Sequence, residues 1–445
     1  MTEATIAGNL PGTMVVNEDG VLEIGGINVR ELAREYGTPV MVLDEKKIRD
    51  NIRQYRKSFQ ENYHDFQVVY AGKAMLNKAL CKIIEAETAG LDVVSGGEFY
   101  TALQAGFPME NVFFHGNNKL KSELEMALEN NTGRIVIDNF HEFALLQNMA
   151  VQKKKRVNCL LRITPGIEAH THEYIKTGQA DSKFGVGLKN GQALQLIKKI
   201  LEADYLNFKG LHAHIGSQIF NLESFNRLID IVFEFCQKLK DETGKVITEL
   251  NLGGGLGISY VAEENPPSIN EFVTSITTKV KEEGKKHNYP LPRLIVEPGR
   301  SIIGDAGTTI YRVGSIKAIP GYDKKYIAVD GGMTDNIRPA LYDSQYRALA
   351  ADKCFAVPDE EVTIAGKCCE SGDILIKNIK FPKINTGELI AIPCTAAYSF
   401  ALSNNYNKIP RIPIVLVNEG CSRVIVKRES YSDLIKNEVI PEDLC

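Results

Sequence analysis

From about residue 66 the chain alternates between two hydrophobic periods. Short runs rich in β-branched and aromatic residues occupy positions 66–70, 91–95, 112–115, 134–138, 157–164, 208–216, 248–253 and 294–297. Between them lie longer stretches whose apolar positions repeat at helical spacing, among them 121–130, 192–202, 222–242 and 269–287. Eight strand-then-helix units over roughly 240 residues match the length and alternation of a (β/α)8 TIM barrel. A doubly wound sheet alternates in the same way and is the competing architecture.

After about residue 306 the rhythm changes. Strand-like runs at 310–315, 326–329, 362–364, 389–392 and 414–417 are joined by turns without long helices between them. That pattern predicts an all-β domain of sandwich or barrel-like form. The first forty-odd residues hold a predicted hairpin, 15–24 around Glu18-Asp19-Gly20, which could join the same sheet. The expected organisation is therefore a barrel over 46–307 and a β domain built from 1–45 and 308–445.

Composition narrows the class. The 445 residues exceed what one hydrophobic core supports, and 44% hydrophobic with 24% charged residues is ordinary for a globular chain. The balance 52 − 56 = −4 gives no global attraction to nucleic acid or anionic lipid. No apolar run approaches a membrane span, and the start lacks the features of a secretory signal. The nine cysteines include no C-x-x-C pair, which argues against a disulfide framework or zinc ribbon. The expectation is a soluble, cytoplasmic protein acting on a small molecule, with neither nucleic acid nor membrane as partner.

The candidate chemistry collects at the carboxyl ends of the predicted strands, where barrels place their sites. Two motifs read as bland. Lys153-Lys154-Lys155-Arg156 falls in a bottom-face connection and reads as a solvated turn. His212-x-His214 has the spacing of a metal pair, but no further ligands are evident, so no metal is expected. Lys73 is sharper, because a lysine aimed into a barrel mouth loses hydration and shifts toward the neutral, imine-forming amine. Gly253-Gly254-Gly255 lets backbone N–H groups close on a phosphate. His214 and Ser217 end the sixth strand and Glu297-Pro298-Gly299-Arg300 the eighth. A lysine, a glycine loop, an acid and an arginine at one rim fit pyridoxal 5'-phosphate.

These motifs resemble the diaminopimelate decarboxylase family, of the alanine-racemase-like (fold-type III) pyridoxal-phosphate enzymes that also include ornithine and arginine decarboxylases. The likeness covers nearly the whole chain. It rests on Tyr70-Ala71-Gly72-Lys73-Ala74, Leu91 to Glu98, His115-Gly116-Asn117-Asn118-Lys119, Glu168 to Tyr174, His212 to Gln218, the glycine loop and Glu297 to Arg300. Asp330-Gly331-Gly332-Met333, Cys369-Glu370-Ser371-Gly372-Asp373 and Asn404-Asn405-Tyr406-Asn407 complete it.

The resemblance implies roles. Lys73 carries the imine, His214 stacks on the cofactor ring, and Glu297 partners its pyridine nitrogen. Ser217, Gly254, Gly255, Pro298, Gly299 and Arg300 contact phosphate and ring. Arg300, Arg338 and Tyr342 bind substrate carboxylate, Glu370 contacts the distal amino end, and Tyr398 touches cofactor and substrate. Cys369 is the implied proton donor, and a homodimer with shared active sites is expected, in which Cys369 and Glu370 complete the partner's site. Cys368 is left without a role. Arginine forks suit a substrate with a second carboxylate, which ornithine lacks. The rival readings are a relative acting on arginine, ornithine or carboxynorspermidine, a racemase, and a non-catalytic cofactor-binding homologue.

Overall fold

A computed structural model describes residues 10–167, 182–322 and 324–444, which divide into two compact units. One comprises 49–258 and 265–302; the other comprises the chain up to 48, 259–264 and 303 onward. The short segment 259–264, expected in the barrel, thus belongs with the β unit. The Glu168 to Tyr174 motif lies outside the described residues.

The first unit is a closed parallel barrel. Its strands are β1 (Phe66–Ala71), β2 (Gly90–Val93), β3 (Val112–Phe114), β4 (Arg134–Ile137), β5 (Val157–Thr164), β6 (Leu206–His212), β7 (Glu249–Asn251) and β8 (Arg293–Val296). Each pairs in parallel with the next, β4 with β5 and β8 with β1 included, so no edge is left open and the doubly wound alternative is excluded. Val69, Phe113, Val136, Leu160 and Ile295 form one buried cluster contributed by five strands. Burial on both faces explains why these strands read as nearly continuous apolar runs. Several of the helices start on side-chain caps: Ser95 accepts from Glu98 N, Asn139 from Glu142 N and Ser268 from Glu271 N.

The second unit is a mixed sheet. Gly307–Ala318 is its spine, pairing with Val40–Asp44, Lys325–Val329 and Leu389–Pro393. Val40–Asp44 also pairs in parallel with Ile414–Asn418, so the amino-terminal segment enters the sheet through this strand. The expected hairpin forms, but in a small sheet of its own (Val15–Val16, Leu22–Ile24, Ile27–Asn28). It is held by packing: Val21, Leu22, Ile24 and Val29 share a buried cluster with Val40, Ile310, Ala391 and Val415. Among the described residues, no helix is long and apolar enough to cross a membrane.

Candidate active site

Barrel closure assembles the site. Lys73 follows β1 in a single turn, Gly72–Ala74, and Glu297 follows β8, the neighbouring strand. Ala71 N–H donates to Pro298 O at 3.2 Å, joining the two strand ends. Lys73, Asp92, His115, His212, His214 and Glu297 line a common cavity of about 290 Å³. Arg162, from β5, lines it too, its guanidinium carbon 4.2 Å from the Phe184 ring centroid.

Glu297 is the hub. Its Oε1 accepts from Asn251 Nδ2 at 2.6 Å and His115 Nε2 at 2.8 Å, and its Oε2 from His212 Nε2 at 3.2 Å. Burial alone would push this carboxyl up; His115, and the hydrogen bonds from His115 and His212, outweigh it and hold Glu297 well below the usual carboxylate range. Burial drives His212 down to about 3, so its ring is neutral. Burial, then the Lys73 charge, hold His214 well below an ordinary histidine. Asp92, 3.8 Å from His115 Nε2, is raised by burial to about 6.

The glycine loop approaches its neighbours too closely for side chains. A Cβ on Gly254 would lie 2.2 Å from Glu297 O, and one on Gly255 (φ +131°) 2.7 Å from Gly216 O. Arg300, buried in the short helix Arg300–Ile303, donates to Ser217 Oγ from Nε (3.2 Å) and Nη2 (3.0 Å). Backbone without Cβ atoms, a serine and an arginine therefore meet at the ends of β6, β7 and β8.

This donor set fits pyridoxal phosphate. Three donors take three of the roughly four acceptor positions of the Glu297 carboxylate, leaving capacity for one protonated ring nitrogen. Among the described residues, His212 Nδ1 and Asp92 Oδ1 are buried polar atoms without a hydrogen-bond partner, which fits a cavity built for a polar occupant.

The remaining predicted residues lie in the β unit. Arg338 is buried, with Nε donating to the Tyr346 hydroxyl at 2.9 Å and Nη2 to Ser344 Oγ at 3.2 Å. Its guanidinium carbon stands 5.5 Å from the Tyr342 ring centroid and 5.7 Å from that of Tyr260. Cys369 and Glu370 are exposed, with Cys369 N–H donating to Asn407 Oδ1 at 2.8 Å. Asp373 ties their loop down, accepting from Cys368 N at 2.7 Å and Met333 N at 2.6 Å. Burial and then the Asp373 charge push the half-buried Cys368 thiol up to about 12. Half-buried Tyr398 has φ +61°, a left-handed backbone that is strained for an aromatic residue.

Sequence reasoning assigned no role to Asp92, His115, Arg162, His212 or Asn251. Three of the five, Asp92, His115 and His212, sit in quoted motifs, but each of the five comes from a different strand, so only the closed barrel shows them converging. His115, His212 and Glu297 bring ligand-type atoms within 4.8 Å of one another, a set that could also hold a cation. The hydrogen bonds to Glu297 account for the same geometry.

A closed barrel with a lysine, a glycine loop and a buried, histidine-bound acid at one rim defines a pyridoxal-phosphate enzyme. Residues 45–304 match the family model described as pyridoxal-dependent decarboxylase, pyridoxal binding domain. The diaminopimelate decarboxylase of Bacillus subtilis is 48% identical over 427 residues, 96% of this chain and 97% of that protein. A crystal structure of the M. jannaschii diaminopimelate decarboxylase in complex with L-lysine superposes with a TM-score of 0.91 at 34% identity, covering 98% of this chain and 99% of the other. The Helicobacter pylori diaminopimelate decarboxylase, also solved with L-lysine, gives 0.84 at 30% identity, covering 92% and 99%. The chain belongs to the diaminopimelate decarboxylase family of pyridoxal-dependent decarboxylases.

Proposed function

We propose that this enzyme removes CO2 from one end of meso-2,6-diaminopimelate to give L-lysine, the last step of lysine biosynthesis by that route. The observation that carries the reading is the end-to-end match to diaminopimelate decarboxylases. Bound pyridoxal phosphate supplies an electron sink for the carbon that loses CO2. Lys73 holds the cofactor's aldehyde, and its place among the cavity-lining residues supports that role. Glu297 keeps a proton on the ring nitrogen, supported by its depressed carboxyl. Ser217, Gly254, Gly255, Pro298, Gly299 and Arg300 bind phosphate and ring, and His214 covers a ring face.

Arg338 and Tyr342 bind the carboxylate of the end that is kept. Two neutral hydroxyls hold the buried Arg338 fork, and among the described residues no ion pair of Arg338 is seen, which supports an anionic ligand there. Arg300 also contacts substrate, Glu370 takes the distal ammonium, Tyr398 contacts both ligands and Cys369 returns the proton to carbon. The enzyme works in the cytoplasm as a homodimer with shared sites, Lys73 from one chain and Cys369 with Glu370 from the other; family resemblance supports this. The function is tested by giving cofactor-loaded enzyme meso-diaminopimelate and measuring lysine and CO2. Amine released from ornithine or arginine, with no lysine from diaminopimelate, would overturn it. For the shared site, inactive Lys73→Ala and Cys369→Ala subunits are mixed, and about a quarter of wild-type activity is expected to return. No recovery after proven subunit exchange would place all the groups in one chain.

A further inference from the structure

The carboxylate assigned to the ring nitrogen is itself held by residues with no assigned role. Oε1 of Glu297 carries two of the three hydrogen bonds, both shorter than the one on Oε2: 2.6 Å from Asn251, 2.8 Å from His115, against 3.2 Å from His212. An ionised carboxylate only accepts, so Nε2 of His115 carries the proton of that bond. The His115 backbone N–H bonds Val93 O at 2.8 Å, and its ring meets that of His212 edge-on at 4.6 Å between centroids. The main chain is thus anchored, and the imidazole is held between the Glu297 carboxylate and the His212 ring. Asn251 is fully buried, and its Oδ1 accepts from Gly253 N at 2.9 Å, so one side chain links Glu297 to the start of the glycine loop.

We infer that His115, seconded by Asn251, is a positioning residue that holds the Glu297 carboxylate as a pure acceptor in one orientation and thereby fixes the proton on the cofactor's ring nitrogen. The inference rests on the reading that Glu297 faces that nitrogen. His115 acts through Glu297 and needs no contact with the cofactor. A donor at 2.8 Å on Oε1 restrains both rotation of the carboxyl and its protonation, because a protonated Glu297 would have to find another acceptor in a buried cluster already rich in N–H donors. Donation to Oε1 lowers the basicity of the carboxylate, so a proton shared with it would reside on the ring nitrogen, and the electron sink would stay charged.

The test reads the ring nitrogen directly. Apo-enzyme is loaded with ¹⁵N-labelled pyridoxal phosphate, and the nitrogen shift is recorded for wild type, His115→Phe, His115→Gln and Glu297→Gln, without substrate. The expected result is a protonated nitrogen in wild type, a shift toward the unprotonated value in His115→Phe, and substantial recovery in His115→Gln, whose amide can donate to Oε1. In parallel, the preference of apo-enzyme for pyridoxal phosphate over its analogue with carbon in place of the ring nitrogen should fall about tenfold in His115→Phe, as for loss of a charge-assisted hydrogen bond. A wild-type shift and preference in His115→Phe would overturn the inference, as would equal loss in the Phe and Gln variants, which indicates shape alone. Glu297→Gln separates the two levels. If it leaves the nitrogen unchanged, the assignment of Glu297 falls and this inference with it; if it moves the nitrogen while His115→Phe does not, only this inference falls. His115→Asn, polar but too short to reach Oε1, replaces the Phe variant should that fail to fold.

Discussion

The two units treat their charged side chains in opposite ways. In the barrel, Asp92, His115, His212 and Glu297 are all buried together, with His115 and His212 hydrogen-bonded to Glu297 and Asp92 3.8 Å from His115. In the β unit the candidate groups are dispersed: Arg338 is buried among tyrosines, whereas Cys369 and Glu370 stand exposed on a loop tied down by Asp373. A site that must hold one fixed cofactor gains from preorganised electrostatics, since dipoles set in advance need not reorganise during the reaction. Groups that bind and release a substrate each turnover gain from remaining accessible. Under the proposed function the barrel cluster holds the cofactor, while Arg338, Cys369 and Glu370 of the β unit meet the substrate.

Breaking the barrel side should cost most. Lys73→Ala is expected to lose nearly all turnover and the visible absorbance of covalently held cofactor, while the glycine loop can still bind the phosphate. An absorbance spectrum of the purified variant checks this, and a wild-type spectrum would move the role elsewhere.

Breaking the β side should spare the cofactor and weaken the substrate. Arg338→Met is expected to keep the cofactor spectrum and raise KM for diaminopimelate, with kcat/KM reduced by about 1.5–3 kcal/mol of transition-state stabilisation. An unchanged preference for diaminopimelate over analogues with one carboxylate would remove Arg338 from the site.

The smallest effect sharpens the comparison through stability. His212 titrates near 6.5 when unfolded but at about 3 when folded, so the unfolded chain binds the extra proton between these values. Its contribution is thus full above pH 6.5 and is lost progressively as pH falls toward 3. Asp92, raised from 3.8 to about 6, acts with opposite sign below pH 6, so the comparison must be made between variants. Urea unfolding at pH 7.5 and 5.5 should show about 1–2 kcal/mol more acid-induced loss in wild type than in His212→Asn. Equal losses would mean that His212 is not buried neutral.

The barrel was legible in the sequence because its strands are buried over most of their length and separated by amphipathic helices. The β unit was legible only where its strands are buried. Cys421–Val426 is largely exposed and carries no apolar period, and Ile374–Phe381 is interrupted by exposed Lys377 and Asn378, the latter at φ +49°. Val40–Asp44 runs directly into the helix Glu45–Asn62, so no turn marks its end. In the site, Lys73, the glycine loop and Glu297 stood out because unusual residues sit at strand ends. His115 and Asn251 did not, since a histidine or asparagine at a strand end says nothing until closure brings a carboxylate within 3 Å.

The most direct test of the barrel as the seat of the cofactor is covalent mapping. Holoenzyme is reduced with borohydride, digested and sequenced by mass spectrometry. The account predicts a pyridoxyl group on Lys73 alone, in the peptide containing Tyr70-Ala71-Gly72-Lys73-Ala74. Label on another lysine, with Lys73 unmodified, would contradict it.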